Sequence, residues 1–86
     1  MQLAVEASPN PTTGLLKVSV SNAGMQPTVK VRLYNLTQRV AGEWTMEIEN
    51  GRGEKTIDIQ SVDGGMYLLS VEGDRSRAVQ RVVKAN

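Results

Sequence analysis

The chain has 86 residues, 40% hydrophobic and 22% charged, with a net charge of +1 and neither Cys nor His. One domain of this size buries only about 60–65% of the surface its unfolded chain exposes, so its stability margin is thin. Disulfides, the usual zinc sites, Ser–His triads and Cys–His dyads are excluded. Three aromatics, Tyr34, Trp44 and Tyr67, are too few to stack a single-stranded nucleic acid, and a net charge of +1 does not steer toward DNA or anionic lipid. A module that binds, sorts or holds is expected, with no enzyme activity, cofactor or metal.

Met1-Gln2-Leu3 opens without a basic region or an apolar run. These residues show no secretory leader, so the chain is either cytoplasmic or cut from a longer precursor. Leu3–Glu6 reads as an edge strand. Pro9-Asn10-Pro11-Thr12-Thr13-Gly14 follows as a turn, because its prolines fix φ and lack ladder donors. Leu16–Ser21 then alternates apolar and polar residues, the signature of a half-buried strand. Asn22-Ala23-Gly24 and Pro27 reverse the chain. Val29–Leu33 alternates with cationic spacers, and Trp44–Glu49 with mostly acidic ones. Asn50-Gly51, between two alternating segments, is the strongest short hairpin signal in the chain. Ile57–Ile59 is a short strand, Asp63-Gly64-Gly65 a reversal, and Met66–Glu72 a strand with Tyr67, Leu69 and Val71 on one face. Gly73-Asp74 turns the chain into Ala78–Lys84, where Val79, Arg81 and Val83 share one face and Val82 lies opposite. Arg81–Asn86 stays strand-like almost to the last residue, as expected of a C-terminus in or beside a sheet.

About seven short strands with one wet face each must pack their dry faces together. The expected fold is all-β: an immunoglobulin-like, two-sheet antiparallel sandwich in a single domain over residues 1–86, without the Cys…Trp…Cys signature of antibody domains.

No constellation points to catalysis. Glu43, Glu47, Glu49 and Glu54 are expected on a solvated strand face rather than across a cleft. Asp58, Asp63 and Asp74 lack calcium-loop spacing. Gly51-x-Gly53 and Gly64-Gly65 precede no helix, so they cradle no phosphate. Asn35-Leu36-Thr37 matches a glycosylation triplet, a pattern common by chance. Arg75, Arg77, Arg81 and Lys84 form a late cationic run. The plain reading is a charged edge strand that discourages edge-to-edge pairing; the sharper one is a docking stripe for an acidic or phosphate-bearing partner.

Four motifs then occur in order. Pro9-Asn10-Pro11-Thr12-Thr13-Gly14 opens the match. Val31-Arg32-Leu33-Tyr34-Asn35-Leu36-Thr37 and Ile57–Val71, with Gly65 and Tyr67, follow, and Arg81-Val82-Val83-Lys84 closes it. Over residues 9–84 the chain resembles the type A C-terminal sorting domains of the type IX (Por) secretion system of Gram-negative bacteria. It departs at Gln38, where the family turns on Gly; at Asp63-Gly64, which replaces a Pro-Ala or Ala-Ala pair; and at Arg81, which replaces Lys. A looser turn, or one of another type, is expected around Gln38. Independently of the resemblance, Pro9, Asn10, Pro11, Gly14, Tyr34, Asn35, Gly65 and Tyr67 are expected to make the fold. The Thr hydroxyls satisfy turn groups, and Tyr67 places its hydroxyl on a loop carbonyl.

The resemblance implies a secretion signal attached to an N-terminal cargo. It implies passage through the periplasm to the cell surface or medium, and reading by an outer-membrane translocon and carrier. A surface sortase often cuts before such domains, here upstream of Pro9, near Leu3–Ser8 or before Met1. Neither nucleic acid nor membrane insertion is expected. The terminal strand is expected to be the recognition element: Val79, Arg81, Val82, Val83 and Lys84, with Arg81 and Lys84 as charged contacts and its backbone open to strand addition. Two other readings stand beside it. One is an uncleaved partner-binding or signalling module of the same family. The other is an immunoglobulin-like accessory module for carbohydrate or protein, which a shielded Trp44 argues against.

Overall fold

The computed structural model describes residues 3–85. Seven strands follow in chain order: β1 (Ala4–Ser8), β2 (Leu15–Ser21), β3 (Thr28–Tyr34), β4 (Val40–Glu47), β5 (Gly53–Asp58), β6 (Gly65–Glu72) and β7 (Arg77–Lys84). They form two antiparallel sheets, ordered β1-β2-β5 and β4-β3-β6-β7, and no helix occurs among the described residues.

Period-two patterning decides which side chains meet. Leu16, Val18 and Val20 of β2 point inward, as do Val29, Val31 and Leu33 of β3 and Tyr67, Leu69 and Val71 of β6. Ile57, Ile59, Met46 and Val82 complete the core between the sheets. Fully burying each large aliphatic stabilises by about 1.5–3 kcal/mol, which offsets the conformational entropy lost on folding.

The Asn50-Gly51 signal built a turn but not a ladder. Both residues have positive φ (55° and 78°), and Glu49 and Arg52 exchange backbone hydrogen bonds across them at 2.8 and 3.1 Å. Pairing stops at that single bridge, because β4 belongs to one sheet and β5 to the other. The local turn chemistry is that of a hairpin. The strands diverge because β4 pairs with β3 and β5 with β2. This placement of the fourth strand also departs from the antibody constant domain, where it lies with the first, second and fifth.

The antiparallel course sorts the connections into two ends. At one end Gln26 ties neighbouring loops: its Nε2 donates to Ala23 O at 2.7 Å and its Oε1 accepts from Asp74 N at 2.9 Å. At the other end lie the β1–β2, β3–β4 and β5–β6 connections and the end of β7.

Candidate functional site

All four motifs reach that second end, and hydrogen bonds tie three of them together. Asn10 lies along the outer edge of β7, and its side-chain amide pairs as a strand residue would. Nδ2 donates to Arg81 O, and Oδ1 accepts from Val83 N, both at 2.9 Å. Thr12 continues the cover: its N–H donates to Val83 O at 2.9 Å, and its carbonyl accepts from Ala85 N at 2.8 Å. The Thr12 side chain is fully buried. Its Oγ1 donates to Leu15 O at 2.7 Å and accepts from Gly14 N at 3.1 Å. Gly14 carries the tie to the other sheet, where its carbonyl accepts from Ile59 N at 2.7 Å. With φ at +154° and the Gln60 side chain against the Cβ position, only glycine suits this site.

The β5–β6 connection closes the same end. Tyr67 is buried and donates its hydroxyl to Asp63 O at 2.6 Å, the loop-carbonyl contact expected of it. Gly65 has φ +149° with open space at its Cβ position, so backbone conformation rather than a close approach selects glycine there. The β3–β4 turn is tight, which corrects the looser turn expected at Gln38. Asn35 Oδ1 accepts from Thr37 N, Thr37 Oγ1 and Arg39 N, and Gln38 N donates to Asn35 O at 3.0 Å. Gln38 takes φ 66°, so it holds the left-handed position that glycine occupies more cheaply.

Strand β7 is an edge strand, as the plain reading of its charges expects. Val79 and Arg81 are exposed on the sheet's outer face, and Val83 is half-buried beside them. Val82 is fully buried in the core. Lys84 requires a correction: it is buried, and its Nζ donates to Val62 O at 3.3 Å and Ala85 O at 3.2 Å. Its charge faces the β5–β6 connection instead of a partner. The open backbone expected for strand addition is corrected for the end of the strand, where Arg81 O, Val83 N and O, and Ala85 N are already bonded to Asn10 and Thr12.

Tyr34 belongs to a polar network on the outer face of β4-β3-β6-β7. Arg32 donates through Nε to Glu43 at 2.6 Å and through Nη1 to Glu72 at 2.9 Å. Tyr34 OH and Ser70 Oγ both donate to Glu72 Oε2, and Arg77 Nε donates to Ser70 Oγ at 3.0 Å. The hydrogen bond from Arg32 holds the Glu43 carboxyl below its ordinary range, and that same bond raises Arg32. Glu43 is thus an ion-pair partner rather than a free solvated acid. Trp44 is half-buried against the core, its ring over Gly42.

Sequence reasoning missed Thr12 as an individual residue. Its signal was a Thr directly after Asn-Pro, ahead of an alternating strand. Its burial depends on contacts with Val83 and Ala85, more than seventy positions away.

A family model described as the secretion system C-terminal sorting domain matches residues 7–85. The chain has no significant match among curated proteins. The matched span covers nearly the whole chain and contains every motif described above. The chain therefore belongs to the family of type IX secretion C-terminal sorting domains, signals that direct an attached protein to the bacterial cell surface or the extracellular space.

Proposed function

We propose that this domain is a folded address, read by the outer-membrane translocon and its carrier at the end where its motifs meet. The observation that carries this reading is the tie between the two ends of the matched span. Asn10 and Thr12 bond to Arg81, Val83 and Ala85, so the first and last motifs form one surface only in the folded chain. Val79, Arg81 and Val83 face outward as contacts. Val82 and Lys84 anchor the strand that presents them. The domain acts as a binding module and performs no catalysis itself.

A sortase that separates cargo from address cuts before β1. Leu3 and Ala7 are buried, and Ala4–Ser8 pair with Lys17–Ser21, so the peptide bonds between them lie within a formed sheet. That pairing favours a cut ahead of Leu3 over one within Leu3–Ser8.

The test is a fusion of residues 1–86 behind a periplasm-targeted fluorescent protein, in a host with this secretion system. Surface or extracellular fluorescence supports the reading, and the product mass shows whether and where the domain is removed. Fluorescence confined to the periplasm refutes it. Deleting Arg81–Asn86 is expected to retain the reporter in the periplasm.

A further inference from the structure

The outer face of β4-β3-β6-β7 is divided. One half carries the Arg32–Glu43–Glu72 network. The other half, toward the motif end, is apolar where an antiparallel sheet facing water is ordinarily polar. Of the seven large hydrophobics exposed among the described residues, four lie here, Leu36 (68%), Val40 (53%), Met66 (41%) and Leu68 (40%), and a fifth, Val79 (47%), sits opposite Ser70 at the border with the network. Strand register lines them up. Val40, Tyr34, Leu68 and Arg81 are successive cross-strand partners in one row, and Met66 faces Val83 in the next. A contiguous apolar patch on a small domain marks a contact surface more often than chance exposure does.

The charges within the two rows and the β3–β4 turn have one sign. Arg39 and Arg81 are exposed. The ion pairs among the described residues use Lys17, Lys30 and Arg32 and leave both arginines unpaired. No acid occurs in the two rows, and Asp63 is the one acidic residue in the three connections at this end.

We propose that this half-face docks an extended segment of a partner protein that carries acidic and apolar side chains together on one of its faces. Charge complementarity selects the acidic character, and the patch selects the apolar one. Leu68 and Arg81 are directly opposed on neighbouring strands, about 4.5–5.5 Å apart in such a ladder. Cation and apolar group thus lie side by side on one face of the sheet. A lipid surface instead places its charges above its apolar layer, so apolar groups must project past the cations to reach it. The inference rests on the sorting-domain reading and adds the surface and the partner's chemistry to it.

The experiment uses the same reporter fusion with two double variants: Leu68→Ser with Val79→Ser, and Arg39→Glu with Arg81→Glu. Leu15→Ser, an equally exposed apolar residue of the other sheet, is the control. Each double variant is expected to cut surface export roughly tenfold, the effect of about 1.4 kcal/mol of lost binding, while the purified domain keeps its melting curve. Leu15→Ser is expected to export normally. Normal export of either double variant with an unchanged melt overturns the proposal and leaves the sorting reading standing. Periplasmic retention of the unmodified fusion defeats the sorting reading itself. Should a double variant fail to fold, a photo-crosslinking residue at position 68 decides. A crosslinked peptide rich in acidic and apolar residues supports the proposal; a basic peptide, a lipid adduct or no adduct overturns it. Binding of the purified domain to equimolar phosphatidylcholine–phosphatidylglycerol vesicles, lost in the same variants, also overturns it in favour of a membrane.

Discussion

Replacing Asn10 by alanine tests whether a side-chain amide closes the edge of the terminal strand. The change removes the bonds to Arg81 O and from Val83 N, both 2.9 Å. A neutral hydrogen bond contributes about 0.5–1.5 kcal/mol net, and these are exposed, so water recovers part of the loss. A combined cost of about 1–2 kcal/mol follows, and at about 4–8 °C per kcal/mol for a domain of this size the melting midpoint falls by roughly 4–16 °C. Urea unfolding followed by Trp44 fluorescence measures the stability, and amide hydrogen exchange at Val83 reads the edge itself. Asn10→Asp separates the two bonds. It keeps an acceptor for Val83 N–H but loses the donor and sets a carboxylate against Arg81 O. It is expected to protect Val83 while destabilising at least as much as alanine. If Val83 exchanges as slowly in Asn10→Ala as in the unmodified protein and the urea midpoint does not move, the edge is not held by Asn10.

Thr12→Val keeps shape but strands Gly14 N–H and Leu15 C=O next to a fully buried side chain; at about 1–3 kcal/mol for each unsatisfied group, a loss of roughly 2–6 kcal/mol in denaturant titration is expected, and a loss below that of Asn10→Ala contradicts the buried role. Gln38→Gly relieves a side chain held at φ 66°, and with a left-handed cost of about 1–2 kcal/mol, less the entropy regained by an unfolded glycine, a net gain of several tenths of a kcal/mol is expected from the urea midpoint. Glu43 titrates below the ordinary carboxylate range because Arg32 bonds its charged form. A depressed folded value stabilises above the unfolded value and is lost as pH falls through the folded one. Glu43→Gln is therefore expected to be less stable than the unmodified protein near neutrality, with the difference closing in acid; a constant difference across that range refutes the ion pair as its source.

The strands were legible because burial on one sheet face imposes a period of two on the sequence. Leu16, Val18 and Val20 declare β2 without knowledge of any partner. Turn chemistry was legible for a similar local reason. Asn50-Gly51 specifies two positive φ angles wherever it occurs. What that turn connects was not legible, since pairing depends on β2 and β3 competing for β5 and β4. Lys84 shows the same limit: a cation at a chain end reads as a surface group, and its burial follows from Val62 O and Ala85 O lying within reach.

The sequence alone therefore determined the all-β class, the positions of the strands apart from β4 and β5, which begin four residues ahead of the alternating segments at Trp44 and Ile57, the absence of thiol and imidazole chemistry, and the motifs that carry the family likeness. These are properties of neighbouring residues and of composition. The tertiary structure decided that the first motif covers the last strand, that Thr12 and Lys84 are interior, and that apolar side chains from three strands and a turn form one exposed half-face. Each of these depends on residues brought together by sheet order and register, which no local pattern encodes.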